Sequence, residues 1–163
     1  MTHALIVVGV DGSAESKHAL LWAAEQARLS DATLRLVYAW EPPAVAGLHL
    51  PPMHDWRPFE EQAYELPGRF ADEVLGSDPD VHVTTRTVRG RPAQVLVDAS
   101  EHADLLVIGP RGLGGLRGMV LGSTGHHCAA HARCPVVIVH PPHPETPRHH
   151  VRRELPRALR AGH

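Results

Sequence analysis

The feature that most limits how this chain can fold is a set of short, nearly continuous apolar runs, at 4–10 (ALIVVGV), 103–109 (ADLLVIG) and 135–140 (PVVIVH). A strand with one wet face alternates apolar and polar residues. A run that stays apolar over this length fits a strand covered on both faces, as in a parallel sheet. Two further β-rich segments lie at 33–40 (TLRLVYAW) and 81–88 (VHVTTRTV), the latter alternating. The last strand is opened by Pro135, a tolerated place for proline, and closed by His140.

Helical patterns separate these strands. In 14–29, Ala19, Leu20, Ala23 and Ala27 form an apolar stripe flanked by Trp22. Ser13 is placed to cap that helix, without a full capping box because Ser16 stands three residues on. Residues 57–75 read as helical, with Pro67-Gly68 expected to kink or split the segment. After the turn at 89–92, Pro92 suits a first helical turn, and Val95, Leu96 and Ala99 line one side of 93–101. A short helix is predicted over 123–132. The Pro-rich, aperiodic stretch 41–54 reads as a long crossing loop, and 110–121 as a glycine-rich loop holding Gly112, Gly114, Gly115 and Gly118.

The order βαβαβαβαβ predicts an α/β fold: an open five-stranded parallel sheet with helices on both faces, Rossmann-like, taken in the strand order 3-2-1-4-5. No linker interrupts 1–142, which reads as one domain. The 163 residues carry 16 Lys+Arg and 18 Asp+Glu, a net charge of −2. That balance argues against bulk electrostatic binding of nucleic acid or acidic membranes. The charge is uneven: residues 143–163 hold Arg148, Arg152, Arg153, Arg157 and Arg160 against Glu145 and Glu154, net +3, leaving −5 on the rest. With Pro144, Pro147 and Pro156 and no sustained apolar period, this stretch reads as a flexible basic tail. Two cysteines exclude a disulfide framework, and no apolar run approaches a membrane span, so the expected compartment is the cytoplasm.

In such a sheet, ligands sit beyond the carboxyl ends of the strands where the strand order reverses, here between the first and fourth strands. The loops there are 9–13 (GVDGS) and 109–124. Gly109 and Gly112, then nine residues, then Gly122-Ser123 let backbone N–H groups approach a phosphate without Cβ obstruction. Gly122-Ser123-Thr124 opens a helix, whose free N–H groups favour an anion. The spacing is neither a Walker A loop nor a dinucleotide fingerprint, which argues against a dehydrogenase. Asp11 has two readings, ligand contact or Asx-turn. Arg111 and Arg117 are near the expected phosphates, as counter-charges or as solvated loop residues.

The chain resembles the universal stress protein family over about 3–142, through VVGVDGS at 7–13, VRGRPAQVLVDAS at 88–100, DLLVIGPRGLGGLRGMVLGST at 104–124 and HARCPVVIV at 131–139. The G-x2-G-x9-G-[S/T] spacing is the mark of that family's ATP-binding branch. The resemblance implies ATP as ligand, with Mg2+ on the phosphates as an option. It implies that Asp11 contacts the adenosine part beside the backbone of Gly9 and Val10, and that Ala39 offers backbone hydrogen bonds to adenine. The same resemblance implies that Ile108, Gly109 and Gly112 line ribose and phosphates, and that Gly122, Ser123 and Thr124 hold the phosphate chain. Pro110, which lacks an N–H, and Gly125, where a hydroxyl is common, depart from the pattern. The family also implies a homodimer, placed here on the fifth strand, and a role in stress response as a nucleotide-dependent sensor or partner-binding module, with the protein partner unnamed.

Two alternatives stay open: a slow ATPase or self-phosphorylating protein, and a nucleotide-free dimerisation module of the same fold. No catalytic residue is assigned, because Ser13 and Ser123 lack an identifiable base and orienting acid. His126, His127, Cys128, His131 and Cys134 show no zinc-ligand spacing, and no metal ligand is assigned. Asp98 and Glu101 read as surface charges.

Overall fold

The computed structural model describes residues 3–41, 57–77, 79–112 and 120–142. Most of the predicted 41–54 loop, the segment 113–119 with Arg117, Gly114, Gly115 and Gly118, and the basic tail 143–163 lie outside the described residues.

The elements are β1 (Leu5–Gly9), α1 (Ala14–Ser30), β2 (Thr33–Trp40), α2 (Arg57–Leu75), β3 (Val83–Arg89), α3 (Pro92–Ser100), β4 (Leu105–Ile108), α4 (Ser123–His131) and β5 (Val136–Ile138). They form one five-stranded sheet in the order β3-β2-β1-β4-β5, with every pair parallel. This is the predicted α/β architecture. Successive residues of a strand point to opposite faces, so the apolar run of β1 divides between two cores. Ile6 and Val8 join Leu34, Leu36 and Val107 under Ala19, Leu20, Ala23, Ala24 and Ala27 of α1 and Phe70 and Ala71 of α2. Val7 joins Val37, Leu106 and Ile108 under Val95, Leu96 and Val97 of α3 and Cys128 of α4. Val7, Val8, Leu106 and Val107 are fully buried, which is why their segments had to be continuously apolar.

The α1 stripe is placed as read, and Ser13 caps the helix by accepting from Ser16 N at 3.1 Å. Two expectations need correction. Pro67 does not split α2, which runs unbroken from Arg57 to Leu75. Proline at 67 leaves the carbonyl of Ala63, four residues back, without its helical donor. The hydroxyl of Thr87 on β3 donates to that carbonyl at 3.2 Å, so tertiary packing replaces the missing bond. Pro67 itself is buried, with its ring packed inside. The fifth strand, expected over 135–140, is assigned only at Val136–Ile138. Flanking bonds, Leu106 N to Pro135 O at 3.0 Å and Val139 N to Ile108 O at 2.9 Å, continue the pairing to β4 by one residue on each side.

Candidate functional site: a crevice between the first and fourth strands

Parallel strands linked by right-handed crossovers place α1 and α2 on one face and α3 and α4 on the other. The chain therefore leaves β1 and β4 toward opposite faces, and a crevice opens between their carboxyl ends. It is a cavity of about 530 Å³, within the size range of small-molecule sites.

All ten residues named from the sequence line it. Gly9, Val10 and Asp11 come from the end of β1, Ala39 from β2, and Ile108, Gly109 and Gly112 from β4 and its loop; Gly122, Ser123 and Thr124 come from the start of α4. The wall also contains Ser16, Val37, Tyr38, Pro92 and Leu96, which sequence reasoning did not single out. Pro92 could have been found, because it begins the helix after β3 and so stands at the same carboxyl edge. Leu96 gave no signal apart from its apolar helical spacing.

The first loop is built by its own side chains. Gly12 has φ +82°, a conformation that favours glycine. Asp11 Oδ1 accepts from Ser13 N at 3.0 Å, the Asx-turn reading. Ser16 Oγ donates to Ser13 O at 2.9 Å. The Asp11 carboxylate also explains a glycine: a Cβ at Gly112 would stand 2.5 Å from Asp11 Oδ2. Gly109 is constrained from the other side. A Cβ there would lie 3.0 Å from Glu15 Cβ and 3.1 Å from the Glu15 backbone C and O, where the first turn of α1 passes behind β4.

The second loop closes on α4. Gly122 N donates to Pro110 O at 2.7 Å, and Gly122 is the N-cap with no side-chain cap bond. The first N–H groups of a helix have no partner inside it, so this terminus offers donors and the positive dipole end toward the cavity wall. Gly122 is not crowded: a Cβ there would meet Pro110 O at 3.5 Å and Arg111 Cα at 3.6 Å, ordinary contacts. Gly125 is buried, and a Cβ would run into Leu121 Cδ1. A hydroxyl residue at 125 would thus require Leu121 to move.

Arg111 Nη2 stands 3.5 Å from Glu15 Oε1. Burial, and secondly the Asp11 charge, raise the Tyr38 phenol above its ordinary value, so it keeps its proton at neutral pH. Burial pushes the Cys128 thiol up to about 11. Cys134 is raised as well, mainly by burial, and neither cysteine is in a disulfide. The His127 and His131 rings stack at 4.4 Å. Among the described residues no group of three or more His, Cys, Asp or Glu is placed to hold a metal ion. Among the same residues no helix is long and apolar enough to cross a membrane.

Fold and crevice define a doubly wound α/β protein with a ligand-sized cleft at its switch point. The chain belongs to the universal stress protein family, whose model matches residues 4–140. A universal stress protein of Mycolicibacterium smegmatis is 37% identical over 139 residues, 83% of this chain and 47% of that protein. The chain thus spans about half the length of the curated relatives it matches. Among solved structures, UspA from Lactobacillus plantarum superposes with a TM-score of 0.68 at 22% identity, covering 85% of this chain and 99% of that one; at that identity the likeness concerns the fold. A universal stress protein crystallised in complex with cAMP is 29% identical, with a TM-score of 0.61 over 86% of this chain and 98% of its own.

Proposed function

We propose that this chain binds an adenine nucleotide, ATP with Mg2+ on its phosphates, in the crevice between β1 and β4. The observation that carries the reading is the convergence of ten residues on one cavity that includes an uncapped helix N-terminus. The α4 terminus, with Ser123 and Thr124, is suited to the phosphate chain. Val37, Ala39 and Leu96 supply an apolar wall for the base, with Asp11 beside it. Proline at 110 leaves one fewer loop donor, which places more of the phosphate binding on α4.

Nucleotide binding stabilises the folded state by mass action and remodels the loops around the crevice. This suits a cytoplasmic sensor or partner-binding module in stress response rather than a fast enzyme. We also infer a homodimer through β5, an edge of the sheet whose Val136, Val137 and Ile138 are half-buried. An apolar edge left open invites pairing, and a symmetric pairing closes at two copies. One observation favours a second ligand reading: the relative at 29% identity was crystallised with cAMP.

Mass spectrometry of small molecules released from freshly purified protein identifies the ligand. In isothermal titration, ATP is expected to bind at micromolar strength or tighter. Gly122→Val should abolish that binding with little change in melting temperature, because the fold accepts a Cβ at 122 and the added branches occupy the phosphate end. Equal ATP affinity in the two proteins would overturn the reading.

A further inference from the structure

We propose that Glu15 and Arg111 form a phosphate-charge selector: Glu15 restrains the cavity's cation and sets how strongly affinity depends on the number of phosphates. The proposal rests on the adenine-nucleotide reading above and adds to it a specificity-determining residue that is not part of the cavity wall.

Asp11 and Arg111 are the charged side chains among the described lining residues, so Arg111 is the cation available there to a phosphate chain. Its position fits that use. The Arg111 backbone abuts the start of α4: a Cβ at Gly122 would lie 3.6 Å from Arg111 Cα and 3.9 Å from its Cγ. The end of the guanidinium is already engaged, with Nη2 3.5 Å from Glu15 Oε1. The two side chains are 30% and 26% exposed, so solvent screens the pair only in part.

Glu15 is absent from the cavity wall. It stands in the first turn of α1, behind Gly109, and reaches Arg111 from the rear of the loop. Among the described residues this one long contact engages a single guanidinium nitrogen and leaves other N–H donors for a ligand, and a phosphate offers the paired oxygens that a guanidinium fits best. A phosphate chain can therefore recruit Arg111, but it then lies near the Glu15 carboxylate without full compensation. Repulsion grows with each phosphate charge. Adenosine is insensitive to it, a cyclic monophosphate is slightly sensitive, and ATP is most sensitive. The pair holds ATP affinity below what Arg111 alone would give.

The test is isothermal titration of the full chain with adenosine, cAMP, ADP and ATP, for wild type, Glu15→Gln, Arg111→Gln and the double variant, with melting curves to verify folding. Glu15→Gln is expected to raise ATP affinity about tenfold, cAMP less than threefold and adenosine not at all. Arg111→Gln should lose ATP affinity without changing adenosine, and in its background Glu15→Gln should raise ATP affinity by less than in wild type, because only the direct repulsion of the phosphates remains to be relieved. A Glu15→Gln variant that folds but binds ATP no tighter, or gains equally for adenosine, overturns the selector while leaving nucleotide binding intact. Wild type that binds none of the four overturns both the selector and the reading on which it rests.

Discussion

At the residue scale, four glycines of the two loops that frame the crevice have four different reasons. Gly12 needs its positive φ. Gly112 makes room for the Asp11 carboxylate, Gly109 for the backbone of α1, and Gly122 has room to spare. Only the last is free to be glycine for a ligand's sake, which is why Gly122→Val separates binding from stability. Gly109→Ala should do the opposite. Its Cβ meets backbone atoms at 3.1 Å that no rotamer change can relieve, so the first turn of α1 must shift. Overpacking of this kind costs ~1–3 kcal/mol. Urea denaturation should show a loss in that range, and an unchanged midpoint would refute the crowding argument. The spacing of the glycines was legible in the sequence. Which glycine answers to the fold and which to the cavity was not, because that depends on atoms contributed by α1, nearly a hundred positions away.

At the element scale, α2 carries the clearest departure from local reasoning. Proline inside a helix removes a bond and crowds the preceding turn, and the sequence offers no compensation near 67. The compensation comes from β3, where Thr87 donates to Ala63 O. Thr87→Val should leave that carbonyl in a part-buried setting without a donor, at a cost of about 1–2 kcal/mol. In a Pro67→Ala background, where the helix can supply its own N–H, the same substitution should cost less. Additive effects in that double-mutant cycle would show that the carbonyl does not couple the two positions. The short β5 teaches a related point. Apolar composition suggested six residues, but regular pairing needs a partner, and β4 offers only Leu105–Ile108.

At the scale of the whole molecule, the sheet order decides where chemistry can occur, and its edges decide how copies can meet. β5 is an edge with three half-buried apolar residues. If it pairs with its symmetry mate, light scattering at tens of micromolar (roughly the range in which moderate interfaces are populated) should give a dimer. Val137→Lys with Val139→Lys should shift it to monomer or lower its solubility. A monodisperse wild-type monomer would refute the dimer. The tail from 143 carries net +3 against −5 for the preceding residues. The same measurement on a chain ending at Pro142 should leave the oligomer unchanged if pairing rests on β5.

The sequence by itself determined the number of strands, their succession along the chain, their parallel arrangement and the two glycine-rich loops that, once the strand order is 3-2-1-4-5, frame the crevice. These follow from patterns that repeat within a few residues: continuous apolar runs for doubly covered strands, caps and prolines at helix ends, glycines where the chain turns. The tertiary structure alone decided how Pro67 is accommodated, how far β5 extends, what a side chain at Gly109 or Gly112 would meet, and that Glu15 reaches Arg111. Each of these is a meeting of atoms distant along the chain, set by the packing of helices on the sheet, and no local pattern encodes a contact whose partner is chosen by the fold.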